Sequence, residues 1–166
     1  MVIQAIIGLG NEGREYQKTY HNVGSFGVSF LESDTSHQEE YPGLVYSFDL
    51  AGYMNMIGMR VQEFLKKRNF KPEEIVVVYD DSDLPIGEYK LVFGGGSAGH
   101  KGIESIIAHL HTKDFWRLRI GIRDSNETER KKAGEFVLRK WSKADEAEFK
   151  KALNGAWEEM KAKKLI

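Results

Sequence analysis

At 166 residues, with a formal net charge of −1, 30% charged residues and 41% hydrophobic ones, the chain has the composition of one globular domain with room for a real core. The absence of cysteine excludes disulfides, thiol catalysis and cysteine-ligated zinc, and no apolar run approaches the roughly 20 residues of a membrane span. A nucleic-acid partner would need a local basic patch, because the chain has no global basic field.

The chain opens directly in an apolar run, Val2 to Leu9, interrupted only by Gln4. With no basic leader or cleavage site ahead of it, a cytoplasmic protein is expected. The run predicts a central first strand. It ends in Gly8-Leu9-Gly10-Asn11-Glu12-Gly13, and the turn then delivers Tyr16, His21 and Asn22. Loops at the C-terminal ends of strands in an open α/β sheet face the ligand crevice. An imidazole, amides and an aromatic in one such loop suit a site better than a core.

Val23 to Leu31 predicts a short helix with Phe26 and Phe30 four apart. Glu32 to Gly43 is polar and turn-rich, and Leu44 to Leu50 alternates as a strand would. After Gly52-Tyr53-Met54-Asn55, the apolar spacing of Ile57, Val61, Phe64 and Leu65 predicts a helix ending in Lys66-Lys67-Arg68, where cations suit the helix dipole. Ile75 to Tyr79 is continuously apolar, as in a strand buried on both faces; Asp80-Asp81-Ser82-Asp83 follows it directly, and Leu84-Pro85-Ile86-Gly87 predicts a turn. Glu88 to Phe93 predicts another strand. Gly94 to Gly102 is a glycine-rich loop opening a helix with Ile103, Ile106, Ile107 and Leu110 on one face. Trp116 to Ile122 alternates, with Arg117 and Arg119 on the face opposite Leu118 and Ile120. Asp124 to Lys132 is a charged loop. Ser142 predicts the N-cap of a last helix, with Asp145 at the capping-box position. Strands alternating with helices, without a repeat or interdomain linker, argue for one α/β sandwich around a largely parallel or mixed sheet, spanning 1–166.

Gly8, Gly10 and Gly13 spell a dinucleotide-binding pattern, with Glu32 where an acidic ribose ligand could lie. The context opposes it: no helix begins inside the motif and no second strand precedes Glu32. His21 could be a loop histidine bonded to backbone. With Asp80 at the end of an adjacent buried strand, it could instead be an oriented base, the carboxylate fixing its tautomer. Asp80 to Asp83 could also form a solvated turn or a magnesium site, the latter ranking lower without a phosphate-transfer motif. Asn55 could cap the helix after it. The glycines of 94–99 allow close backbone approach to a ligand, whereas His100 is as readily structural as functional. Tyr16 and Tyr53 could be packed or could stack bases. Arg117 and Arg119 form either a solvated stripe or a phosphate-binding surface. His37, His109 and His111 read as surface residues.

Taken together, these loops resemble the bacterial-type peptidyl-tRNA hydrolase family. The resemblance rests on Gly8–Gly13 with Tyr16 and Thr19 to Gly24, on Tyr53-Met54-Asn55 to Gly58, on Asp80 to Gly87, on Gly95 to Gly102, on Arg117 to Ile122 and on Phe136 to Leu138, in unchanged order. It implies a single-domain three-layer α/β/α sandwich with a mixed, mostly parallel sheet. It also implies hydrolysis of the ester between a peptide and the tRNA 3′ end, by a cytoplasmic monomer with peptidyl-tRNA as partner and no metal, cofactor or membrane.

By the same resemblance, His21 is the general base, Asp80 its orienter, and Asn11 reads the peptide backbone beside the ester. Tyr16, Tyr53 and Asn55 position the substrate's peptide and 3′ end, and Arg119 grips tRNA phosphate. Three residues depart from the family pattern. Lys101 stands for an asparagine that contacts substrate, and could donate to an oxyanion or grip phosphate. Glu12 stands for proline, and Tyr20 for arginine. These departures motivate a rival expectation, an RNA-binding relative with weakened chemistry. A nucleotide-binding oxidoreductase is a weaker rival.

Overall fold

The computed structural model describes residues 2–47, 53–124, 134 and 136–166. The charged loop after Asp124 and the end of the strand expected to reach Leu50 lie largely outside the described residues. Among the described residues, five strands form one sheet: β1 (Ala5–Gly8), β2 (Val45–Ser47), β3 (Ile75–Pro85), β4 (Tyr89–Phe93) and β5 (Trp116–Arg123). Their order is β2-β1-β3-β5-β4, and every pairing is parallel except β4 with β5. The helices are α1 (Val23–Ser33), α2 (Thr35–Glu40), α3 (Ile57–Arg68), α4 (Lys101–Leu110) and α5 (Lys143–Ala162).

Strand alternation divides the core into two layers, as the period of two requires. Ile6, Val76, Val78, Leu118 and Ile120 face α1 and α5, where Leu31, Phe149, Leu153 and Trp157 meet them. Ala5, Ile7, Val77 and Tyr79 face α3 and α4, where Ile57, Val61, Ile103 and Ile106 close over them. The expected mixed sheet with helices on both faces is the architecture present.

One close approach places the loop after β1. A Cβ on Gly24 would lie 2.2 Å from the Val78 carbonyl, and one on Gly8 would lie 2.4 Å from the Gly24 carbonyl. Only glycine lets the start of α1 sit against the tips of β1 and β3. That contact brings the residues just before α1, His21 and Asn22, to the end of β3.

Several elements differ from expectation. The ladder of β1 is shorter than Val2–Leu9, although Ile3 and Gln4 donate backbone hydrogen bonds to Leu165 and Glu74. The region expected to be turns contains α2, whose N-cap Asp34 accepts from the Ser36 N–H at 3.0 Å. Six residues are too few to display helical periodicity. α2 buries His37 against Trp157, with ring centroids 3.9 Å apart, so His37 is not a surface residue. His109 is partly covered and bonds the Ser105 carbonyl, whereas His111 is exposed. β3 runs beyond the apolar run through Asp80–Asp83 to Pro85, past a register irregularity after Asp81, so the turn expected over Leu84–Gly87 is confined to Ile86 and Gly87. The last helix begins as expected: Ser142 Oγ accepts from the Asp145 N–H, and the Asp145 carboxylate accepts from the Ser142 N–H.

Candidate active site

The loop bearing His21 is pinned by backbone. Tyr20 N–H donates to the Arg139 carbonyl, His21 N–H to that of Val137, and Trp141 N–H to that of Lys18. Thr19, nearly fully buried, donates its hydroxyl to the Tyr16 carbonyl at 2.7 Å. Tyr20, the departure before the histidine, packs edge-on to Phe136 and Phe149 and donates to Asp145 at 3.0 Å. Burial and that bond push its phenol pKa up to about 12. Tyr20 therefore joins the His21 loop to the start of α5.

His21 and Asp80 meet. Nδ1 of His21 lies 2.8 Å from Oδ1 of Asp80, and Nε2 of His100 lies 2.8 Å from the same oxygen. Burial alone would raise the Asp80 pKa, but the two imidazoles more than offset it and hold the carboxyl well below its usual range. As an ionised acceptor, Asp80 requires a proton on Nδ1 of His21, which leaves Nε2 as the basic nitrogen. For His21, burial lowers the pKa, while the Asp80 hydrogen bond and charge outweigh it and give a net rise above 6.5. His100 Nδ1 accepts the Ile103 N–H at 3.4 Å, capping α4, so its Nε2 is the end that donates to Asp80. The glycine-loop histidine thus belongs to the site. Its place directly before an apolar-periodic helix, at the N-cap, is the sequence signal for its orientation.

A cavity of about 270 Å³ opens beside this trio, lined among others by His21, Asp80, His100, Lys101, Arg119 and Val137. Arg119 Nη2 pairs with Asp81 at 2.7 Å, and the other Asp81 oxygen accepts the Asp83 N–H. Lys101 is exposed and pairs with Glu104 at 3.1 Å. Arg117 is not part of a solvated stripe or of the cavity wall. It is buried, with its guanidinium donating to the Gly95 and Gly96 carbonyls of the glycine-rich loop.

A second group lies along β1. Asn22 grips the backbone of Asn11 from both sides, accepting its N–H and donating to its carbonyl, each at 2.9 Å. The Asn11 side-chain oxygen accepts the Met54 N–H at 2.9 Å, which ties it to the 3₁₀ turn Met54–Met56. With that oxygen committed, the Asn11 NH₂ is the end left for a ligand. Asn55 does not cap α3; the N-cap is Met56, and the Asn55 carbonyl receives the Ser105 hydroxyl. The Asn55 and Tyr53 side chains are exposed, Tyr16 is partly so, and none of the three lines the cavity. Asn22, read from the sequence as part of the site loop but given no role of its own, is the bracket for Asn11.

The ligand atoms of His21, Asp80 and His100 lie within 4.8 Å of one another, close enough to surround a metal ion. Both nitrogens, however, are already spent as hydrogen-bond donors to one oxygen. Among the described residues, no helix is long and apolar enough to cross a membrane.

The family model described as "Peptidyl-tRNA hydrolase" matches residues 5–164. A peptidyl-tRNA hydrolase of Aquifex aeolicus is 42% identical over 135 residues, covering 74% of this chain and 70% of its own. One from a Hydrogenobaculum species is 36% identical over 168 residues, covering 95% and 88%. The crystal structure of peptidyl-tRNA hydrolase from Acinetobacter baumannii superposes with a TM-score of 0.75 at 30% identity, covering 96% of this chain and 87% of that one.

Proposed function

The chain belongs to the peptidyl-tRNA hydrolase family, and from that premise we propose that it hydrolyses the ester joining a peptide to the 3′ end of tRNA, returning free tRNA to translation. The observation that carries the reading is the 2.8 Å contact of His21 Nδ1 with the buried Asp80 carboxylate in the lining of a cavity, from which a basic Nε2 follows. Nε2 takes a proton from water as the water oxygen attacks the ester carbonyl. The tetrahedral intermediate then collapses, the C–O bond to the ribose breaks, and the proton on Nε2 passes to the departing 3′-oxygen. The imidazolium formed in between is stabilised by the buried Asp80 charge.

Asn11 offers its NH₂ to the peptide backbone beside the ester and so favours N-blocked substrates over free aminoacyl-tRNA. Tyr16, Tyr53 and Asn55 line the approach for the peptide and the 3′ end. Arg119 and Lys101 take tRNA phosphate at the cavity rim. The chemistry needs no metal, since base, orienter and amide donors cover each proton and charge in it. The protein works as a cytoplasmic monomer, one domain acting on peptidyl-tRNA.

The test is release of N-acetyl-aminoacyl groups from tRNA by purified protein with chelator present, beside His21→Ala. Release by the wild type and none by the variant supports the reading. Retained activity in His21→Ala removes His21 as the base, and chelator-sensitive activity removes metal independence.

A further inference from the structure

Arg117 has no part in the reaction above, yet among the described side chains that are fully buried it is second in size only to Trp157. A buried guanidinium is costly unless acceptors meet it. No carboxylate does so among the described residues. Its Nη1 donates to the Gly96 carbonyl at 2.5 Å and its Nη2 to the Gly95 carbonyl at 2.6 Å. Its guanidinium carbon lies 4.6 Å from the Phe115 ring centroid, and among the described residues Nε has no hydrogen-bond partner.

Both carbonyls belong to the glycine-rich loop. Gly94, Gly95 and Gly99 have φ of +70°, +101° and +81°, a conformation open to glycine and with little of its own to hold it. A planar guanidinium can satisfy two carbonyls at once, which an ammonium on a flexible stem cannot do in fixed geometry. From this anchor the chain runs three residues to His100, whose N–H donates to the Ser97 carbonyl and whose Nε2 reaches Asp80. Tyr79 bridges the same groups, its ring 4.9 Å from His100 and its phenol near Arg117.

We propose that Arg117 is a positioning residue: by fixing the Gly95 and Gly96 carbonyls it holds His100 on Asp80 and keeps the loop wall of the cavity in its working shape. It touches no substrate. When His100 withdraws, Asp80 Oδ1 keeps only His21, and the imidazolium form of His21 is favoured. Fewer molecules then carry a free base at neutral pH. The kinetic consequence rests on the hydrolase reading, so release by the wild type is measured first.

The experiment compares wild type, Arg117→Lys and Arg117→Met for kcat, KM and the acid limb of the pH profile, each also in a His100→Asn background. In Arg117→Met, kcat is expected to fall about tenfold with KM within about threefold, and the acid limb to move to higher pH, Arg117→Lys lying between. In the His100→Asn background the same replacements should cost less than about twofold, since the residue they act through is gone. A wild-type acid limb in Arg117→Met, or full additivity with His100→Asn, overturns the proposal. The wild-type protein gives a test independent of turnover and of variant folding, namely the NMR signals of the Arg117 Nη protons. Distinct, slowly exchanging signals support the clamp; averaged, rapidly exchanging ones overturn it. If the wild type releases nothing while its Nη signals are distinct, the hydrolase reading fails and the clamp stands.

Discussion

His21 and Asp80, 59 residues apart in sequence, meet Nδ1 to Oδ1 at 2.8 Å. Asp80→Asn keeps the shape but replaces a pure acceptor with a group that can also donate, so the imidazole loses its fixed tautomer. The expected result is a loss of about 10² to 10⁴ in kcat with KM within a few-fold. Steady-state release assays decide it, and near-wild-type kcat would remove Asp80 from its role.

The same pair sets the pH dependence. Catalysis needs neutral His21, whose pKa is raised, so kcat/KM should fall as pH drops through a value above 6.5. Asp80→Asn should move this acid limb downward. The signs for stability follow from linkage. The raised His21 pKa contributes stability that is full below 6.5 and lost as pH rises through the folded value. The lowered Asp80 pKa contributes stability that is present above 3.8 and lost as pH falls through its folded value. The pair therefore contributes most between 3.8 and 6.5. A pH series of denaturant midpoints beside the rate profile tests both halves, and an acid limb at or below 6.5 contradicts them.

The meeting of His21 with Asp80 was legible as one arrangement the chain allows: if the apolar runs ending at Leu9 and Tyr79 are adjacent parallel strands, their loops share one end, and the two strands do pair in parallel. The helices α1, α3, α4 and α5 were legible from apolar spacing and from the Ser142 cap. The rest was hidden for local reasons. Asp80 to Asp83 has turn composition, and only the long-range pairing with β5 keeps it extended to Pro85. α2 is a single short helix held by a cap and by His37 on Trp157, an interaction across 120 residues that no local pattern encodes. Arg117 alternates with Leu118 like any solvated residue. Its guanidinium is met by the carbonyls of a loop, and loop paths do not show in periodicity.

Asn22 offers a prediction about structure and selectivity together. Asn22→Ala leaves the N–H and carbonyl of Asn11 without their partners, at a cost of about 1–3 kcal/mol. Freed from that bracket, Asn11 no longer holds its NH₂ in place. Urea denaturation should show the stability loss, and the ratio of kcat/KM for N-acetylated over free aminoacyl-tRNA should fall. A destabilised variant with an unchanged ratio would confine Asn22 to the fold and separate it from substrate choice.

Arg119 does not wait free for phosphate, because Asp81 already holds it at 2.7 Å. Any substrate phosphate has to compete with that carboxylate. Arg119→Ala should therefore weaken tRNA binding and make its salt dependence shallower, by at most the roughly 0.7 to 0.9 log units per log salt of one phosphate contact. Asp81→Asn should act in the opposite direction, releasing the guanidinium, tightening binding at low salt and steepening the slope. Because Asp81 also accepts the Asp83 N–H through its other oxygen, the asparagine can keep that bond while losing the charge. Binding isotherms of deacylated tRNA at several salt concentrations measure all three proteins. Parallel salt slopes for wild type, Arg119→Ala and Asp81→Asn would place the phosphate contact elsewhere on the surface. Opposite changes in the two variants would locate it at Arg119 and make Asp81 the group that sets its strength.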